Sequence, residues 1–324
     1  MMNKKDIVSI ILSNYIKDGS VIENNIFFAP INIALLKYWG KENEELITPL
    51  TSSVSFSCEK YGSFTKIKQN HEDELIFNNI KLNSHDAKYI KIFDFINMFR
   101  QNDDFVKIET YNNIPTGAGL ASSASGFAAL TKAIVGHLGY KLSSKDLSIL
   151  ARLGSGSASR SIYDKFAIWH KGEDKNGMDS FAEEIPYSDN LDFDISIVLV
   201  DENEKKISSR EAMKNIKSSL LYDEWIAVSK KYIQPLMNAI KEGDFTTIGE
   251  ISEKHATLMH SVMLFCNESI NYLSYDTFNI ISQIKLLRKS GLEIYFTIDA
   301  GANVKIIHKK CDKNKIIINN YKII

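Results

Sequence analysis

Through the first third of the chain, apolar and polar positions alternate in short runs. Ser53–Cys58, Phe64–Lys68, Glu74–Phe77 and Val106–Tyr111 place apolar side chains at period two, the pattern of half-buried strands. Asp86–Met98 switches to helical spacing. So do Phe127, Leu130, Ile134 and Leu138, a helix that Gly139 ends, and Leu142–Leu153, opened by Ser143 or Ser144 as cap. At the start, Ile7, Ile10, Ile11, Tyr15 and Ile16 recur at helical spacing. Asp6, Ser9, Ser13 and Asn14 interrupt the apolar stretch and no small-residue cleavage site follows, so an amphipathic helix is predicted there and not a signal peptide. DISIVLV at 194–200 has the character of a buried strand. From Ser208 to Lys289 the spacing predicts helices over 209–220, 222–241, 244–265 and 276–289, punctuated by Gly243 and Gly291. Three strands, 293–298, 303–308 and 315–323, close the chain. Strands with crossing helices, followed by helices with strands, predict an α+β protein of two layered units with a boundary near 190.

Composition narrows the functional classes. The chain has 324 residues, and at ~150 residues per domain that fits two domains. No repeat or low-complexity linker interrupts it. With 44% hydrophobic and 24% charged residues it folds as an ordinary globular protein. A formal net charge of −1 excludes a surface built to hold nucleic acid or an anionic membrane, and no apolar run reaches the roughly 18 residues of a membrane span. Cys58, Cys266 and Cys311 form neither a CxxC pair nor a zinc-spaced cluster, which predicts mostly buried thiols in a reducing, cytoplasmic setting. Only five of the 39 basic residues are arginines, so the position of each arginine carries information.

Five segments carry candidate chemistry. NNIPTGAGLASSASG, 112–126, is a small-residue loop leading into a helix. Its unobstructed amides and the helix N-terminus suit a phosphate, although no GxxxxGK[ST] occurs. APINIALLKYWGK, 29–41, ends a strand in Lys37 and Lys41, two ammonium groups that suit a carboxylate or diphosphate. ARLGSGSASRS, 151–161, sets the planar fork of Arg160 inside a Gly-Ser loop. KKISSREAM, 205–213, puts Arg210 in the first turn of a helix, against the helix dipole, where a docked anion would compensate it. YFTIDAGANV, 295–304, delivers Asp299 from a buried strand onto a glycine turn, a placement suited to accepting a proton or orienting a hydroxyl. His255 and His260 are five apart, off a common helix face, and are expected to be structural.

Together the strings NIALLKYWGK, NNIPTGAGLASSASGFAALTKAI, ARLGSGSASRSIY, ISSREAM and YFTIDAGANV resemble the diphosphomevalonate decarboxylase family of the GHMP kinase superfamily. MHSVM at 259–263 and LLRKSGLEIYF ending at Phe296 add to the resemblance, which runs in order from about residue 29 to 308. It implies a two-domain GHMP kinase-like fold. The expected parts are a helical extension over 1–28, an N-terminal domain of the ribosomal-protein S5 type over 29–190, and a ferredoxin-like domain over 191–324, with the site between the domains. It also implies ATP-dependent decarboxylation of diphosphomevalonate with Mg²⁺, a small-molecule substrate, no nucleic-acid or membrane partner, and a homodimer. The competing expectation is a related kinase or decarboxylase acting on mevalonate or its 5-phosphate.

Matched position by position, the resemblance makes Asp299, Lys37 and Arg160 the catalytic group. Substrate contacts fall on Tyr38, Trp39, Gly40, Lys41, Lys88, Ser155, Gly156, Ser157, Ala158, Ser159, Arg160, Ser209 and Arg210. The ATP loop falls on Pro115, Gly117, Ala118, Gly119, Leu120, Ala121, Ser122 and Ser123. Asn32 supports the aspartate, and no protein metal ligand is expected. The chain departs from the family pattern at four places. Ala302 replaces the proline of DAGPN, which is expected to loosen the turn. Asp164 and Lys165 stand where two glycines are usual. Gly117 replaces a commoner alanine, and Ser159 a frequent cysteine.

Overall fold

The computed structural model describes residues 2–17, 25–100, 104–113, 122–201 and 207–324. The chain opens with helix α1, Lys4–Ser13, whose Asn3 cap accepts from the Asp6 amide while the Asp6 side chain accepts from the Asn3 amide. Its buried face is Ile7, Val8, Ile11 and Leu12, not the stripe through Ile10 and Ile16, which are both exposed. The helix covers one end of the N-terminal core.

That core lies under a seven-stranded sheet made of β1 Phe27–Leu36, β4 Ser53–Gln69, β5 Glu74–Phe77, β6 Ile80–Lys81, β7 Val106–Asn112, β8 Phe166–Trp169 and β9 Ala182–Glu184. The small pair β2 Lys41–Asn43 and β3 Thr48–Pro49 lies apart from it. The sheet order is β6-β5-β7-β4-β8-β9, with β1 also on β4. The predicted strands 53–58 and 64–68 are one 17-residue strand. The polar stretch between them bulges against β1 and does not turn, because Gly62 lets the Ala29 carbonyl approach to where a Cβ would lie 2.2 Å away. Helices α2 Ala87–Ile96, α3 Ser122–His137 and α4 Ser144–Gly154, the last capped by Ser143, pack on this sheet. Their apolar faces join one core through Phe95, Phe127 and Leu150, which meet Ile108 of β7.

The C-terminal half has a three-stranded antiparallel sheet in the order β10-β12-β11, with β10 Asp194–Val198, β11 Ile294–Ile298 and β12 Val304–His308. Its helices are α5 Ser209–Ala212, α6 Tyr222–Glu242, α7 Phe245–Leu264 and α8 Tyr275–Lys289. The helix expected over 209–220 is α5 followed by a 3-10 segment, Met213–Ser218. The strand expected over 315–323 does not form. Lys310–Lys315 is a 3-10 turn and Asn320 takes a positive φ of 70°, so the isoleucine run 316–318 reaches the core as irregular chain. Ile316 and Ile318 are buried, and only Ile323 bridges to Val198. The two halves share a core in which Ile33, Leu35 and Val54 meet Leu236, Ile248 and Ile307. No described helix is long and apolar enough to cross a membrane. Cys58 is partly buried, Cys266 buried and Cys311 exposed, the last against expectation.

Candidate active site

Strand β1 is buried along most of its length and then breaks at Lys37, Tyr38 and Trp39, so its end delivers polar groups into a cleft between the halves. The backbone N–H of Lys37 donates to Nδ1 of His255 on α7 at 2.9 Å. That leaves the proton on Nε2, which donates to Ser229 Oγ at 3.0 Å. Burial, then the nearby Lys37 charge, pushes His255 down to about 3, so this histidine is a neutral bracket for the strand end. It is structural, as expected, but it structures the site.

The Lys37 side chain is fully buried and donates to Oδ1 of Asp299 at 2.7 Å. Asp299 follows β11, where the buried run Ile294–Ile298 gives way to a turn. Its side chain is 36% exposed and opens onto the cleft. Oδ2 faces Lys305 Nζ at 3.3 Å. Burial opposes ionisation of this carboxyl, but the two ammonium groups outweigh it and hold its pKa well below the usual carboxylate range. Burial lowers Lys37 to about 8 despite its partner, with the like charges of Lys305 and Arg160 acting in the same direction. The turn with Ala302 in place of proline is not loose. Thr277 Oγ1 donates to the Ala302 carbonyl at 2.9 Å, and Asn303 Oδ1 accepts the amides of Val200 and Asp201.

Arg160 lies on a 3-10 helix, Gly156–Ile162, directly after α4. Its guanidinium is 2% exposed, donates to Ser53 Oγ, and donates to Asn32 Oδ1 at 3.1 Å. Its Nε has no hydrogen-bond partner among the described residues. Asn32 in turn donates to the Ser157 carbonyl and to Ser161 Oγ, at 3.0 and 2.7 Å. Burial lowers Arg160 to about 10, which leaves it charged at neutral pH. Gly156 is needed here, because a Cβ would lie 2.8 Å from both Tyr38 Oη and the Trp169 ring. Tyr38 packs edge-on against Trp169 with ring centroids 4.7 Å apart. Lys165 takes a positive φ of 54° beyond this segment, at a position where the resemblance expects glycine.

These groups line one cavity of about 220 Å³. It gathers Asn32, Lys37, Tyr38, Trp39, Lys41, Ser123, Ser155, Gly156, Ser157, Arg160, Ser209, Arg210 and Asp299 from the expected set. Gly40, Ala158, Ser159 and Ser122 are not on its wall. Ala158 and Ser159 are buried behind it, and Ser159 donates back to the Gly156 carbonyl at 2.8 Å. Lys88 is also outside. It is exposed on α2 with its ammonium over the Phe77 ring, whereas Lys91, one turn further along, lines the cavity. A lysine pair on one helix carries no signal for which member turns inward. Pro115, Gly117, Ala118, Gly119, Leu120 and Ala121 lie outside the described residues. Ser122 and Ser123 begin α3, whose first-turn donors face this region. His255, Lys305 and Lys91 are site residues that sequence reasoning missed. No group of three His, Cys, Asp or Glu side chains among the described residues could hold a metal ion. Chemically, the cleft offers several converging cations, one ionised carboxylate, and the donors of a helix N-terminus, an arrangement for moving anionic groups.

Comparison with known proteins covers most of the chain. Residues 29–182 match the diphosphomevalonate decarboxylase-like N-terminal domain, and residues 195–323 match the mevalonate 5-diphosphate decarboxylase C-terminal domain. The crystal structure of mevalonate diphosphate decarboxylase from Staphylococcus aureus is similar at 36% identity and a TM-score of 0.86, over 92% of this chain and 93% of that one. A structure of MDDEF in complex with MVAPP, AMPPCP and magnesium is 39% identical with a TM-score of 0.83, over 90% and 91% of the two chains. The diphosphomevalonate decarboxylase of Debaryomyces hansenii is 31% identical, over 91% of this chain and 81% of its own.

Proposed function

This chain belongs to the diphosphomevalonate decarboxylase family, and on that premise we propose that it converts diphosphomevalonate and ATP into isopentenyl diphosphate, CO₂, ADP and phosphate. The observation that carries the reading is the Lys37–Asp299 ion pair, which opens into the same cavity as Arg160. The C3 hydroxyl attacks the γ-phosphorus of ATP, the bond from that phosphorus to the bridging oxygen breaks to release ADP, and the hydroxyl proton passes to Asp299. The C3–O bond then breaks as phosphate leaves, and the electron pair of the C–CO₂ bond forms the new double bond as CO₂ departs.

Each step develops or relocates charge, and phosphoryl transfer depends mainly on positioning and charge neutralisation. Lys37 sits where it offsets the negative charge of the transferring phosphate. Arg160, held by Ser53 and Asn32, presents a fixed fork to the substrate carboxylate or diphosphate. Tyr38, Lys41, Lys91, Ser155, Ser157, Ser209 and Arg210 surround the remaining anionic groups. ATP fits the α3 N-terminus, with Ser123 nearest the phosphates. Mg²⁺ fits only as a companion of those phosphates, because the described residues offer no carboxylate cluster of their own and Asp299 is already engaged by two lysines. When bound it would neutralise phosphate charge.

The test is a substrate panel of mevalonate, its 5-phosphate and its 5-diphosphate, each with ATP and Mg²⁺, scored for ADP and CO₂. The reading expects CO₂ from the diphosphate. ADP without CO₂ from all three would make this protein a kinase.

A further inference from the structure

Strand β12 is the centre of its sheet and apolar between its ends apart from Lys305, which stands beside Val304, Ile306 and Ile307 at 2% exposed, with His308 closing the strand. Its cross-strand neighbours are Ile197 on β10 and Thr297 on β11. Alternation along β12 sends Val304 and Ile306 toward α8, and Lys305 and Ile307 toward β1, where Ile307 joins the core shared by the two halves. Thr297, on the same face, donates to the Ala34 carbonyl of β1 at 3.4 Å. Lys305 therefore points at the strand end from which Lys37 emerges. A lysine buried this deeply is retained as a cation only against a compensating charge. Its acceptors are Asp299 Oδ2 at 3.3 Å and the Asn303 carbonyl at 3.2 Å.

Resting on the reaction proposed above, we propose that Lys305 is a positioning residue for it. Lys305 holds Oδ2 of Asp299 while Lys37 holds Oδ1, so the carboxylate plane is fixed toward the cleft. A single ammonium would let the carboxylate rotate about its Cβ–Cγ bond. Two, from β12 and from the end of β1, remove that freedom before substrate arrives, which is the preorganisation a proton-accepting group needs.

The arrangement also sets the local charge. Facing Asp299 are Lys37 from β1, Lys305 from β12, Arg160 from the 3-10 helix and His260 from α7. Burial pushes His260 down to about 4 and His255, behind Lys37, down to about 3, so neither adds charge at neutral pH. Three cations thus face one carboxylate. Lys305 repels the Lys37 ammonium and helps keep it near 8. Activity that needs Lys37 charged is present below that value and is lost as pH rises through it. Removing Lys305 removes the repulsion, so this alkaline limb must move to higher pH.

The experiment measures kcat and KM for CO₂ release against pH in the wild-type protein, Lys305→Met, Lys305→Gln and Lys305→Arg, with thermal unfolding of each. Lys305→Met and Lys305→Gln are expected to lose about tenfold or more in kcat with KM little changed. Their alkaline limb in kcat/KM is expected to rise by about half a pH unit or more. Lys305→Arg, which keeps the charge, is expected to keep the wild-type limb and recover most of kcat. Lys305→Gln keeps the proposal testable if the methionine variant does not fold. A limb unmoved in every folded variant overturns the proposal, whatever happens to stability, because that pattern belongs to a purely structural lysine. A wild-type protein that releases no CO₂ overturns the reaction itself, a result distinguishable from failure of Lys305 alone.

Discussion

Arg160 and Arg210 enter the same cavity from the two halves of the chain, and their supports differ. Arg160 is buried, follows α4 without a loop, and shares bonds with Ser53 and with Asn32, the latter itself tied to the Ser157 carbonyl and the Ser161 hydroxyl. Arg210 is exposed on α5, a helix of four residues that continues as a 3-10 turn. The first is a guanidinium whose position is settled during folding. The second stands exposed on a single helical turn, where solvent rather than packing surrounds it. A fixed fork contributes geometry to the transition state, whereas a mobile one contributes charge to binding. The same contrast runs through the site: Asp299 and Lys37 belong with Arg160, and Lys41, paired to an exposed Glu44, lies between the extremes.

The comparison is sharpest where the fixed side is broken at its reacting end. Asp299→Asn keeps size and removes the charge that two lysines compensate, so kcat should fall roughly 10²- to 10⁴-fold with substrate affinity largely retained. Single-turnover ADP release alongside equilibrium substrate binding checks this. Next, Arg160→Lys keeps the charge but cannot span Ser53, Asn32 and a ligand together. It should lose about 1.5–3 kcal/mol of transition-state stabilisation, or roughly 10- to 100-fold in kcat/KM, while Arg210→Lys loses far less. Equal losses in the two arginine variants would erase the distinction drawn here.

A third change tests the support without touching the cavity wall. His255→Phe leaves the Lys37 amide and Ser229 without their partner, so stability should drop by about 1–3 kcal/mol, read from denaturant midpoints at constant slope. His255 is held neutral in the fold at about 3, whereas the unfolded side chain protonates as pH falls below its ordinary value, so the wild type alone loses stability between pH 8 and pH 6, and the variant's deficit should be smaller at pH 6 than at pH 8 by up to about 1 kcal/mol. The smallest effect belongs to the mobile side. Arg210→Ala should raise KM about tenfold at most, leave kcat near wild type, and change stability by less than ~0.5 kcal/mol.

Much of the fixed side is legible in the linear sequence because its chemistry comes with local context. Arg160 stands out as a scarce arginine among glycines and serines, Lys37 as the end of an apolar run, and Asp299 as a carboxylate between a strand and a glycine turn. Helices and strands were legible where one period ran unbroken, as in α3, α4, α7 and β12. They were not where a local polar break had a long-range purpose. The stretch around Gly62 looks like a turn until β1 lies against it, and the isoleucine run after Lys315 looks like a strand until the turn at Asn320 is seen. Lys88 and Lys91 are both exposed on the same helix, and only packing of α2 on α3 turns Lys91 to the cavity rim, with its ammonium over the Phe127 ring.

What the sequence determined by itself is the kind of chemistry: an anion cradle opening a helix, a lysine at a strand end, an arginine in a small-residue loop, and an aspartate on a turn. Those features rest on neighbours a few residues away, and short-range sterics and hydrogen bonding suffice to define them. Tertiary structure decided which charges face one another. Lys305 is one lysine among 34 and has no local mark. Its meeting with Asp299 depends on the register of β11 with β12 and on the packing of that sheet against β1, 262 residues away from Asp299 at Lys37. Electrostatic coupling acts through space and depends on burial, so the clamp on Asp299 exists only once the two halves of the chain have closed around it.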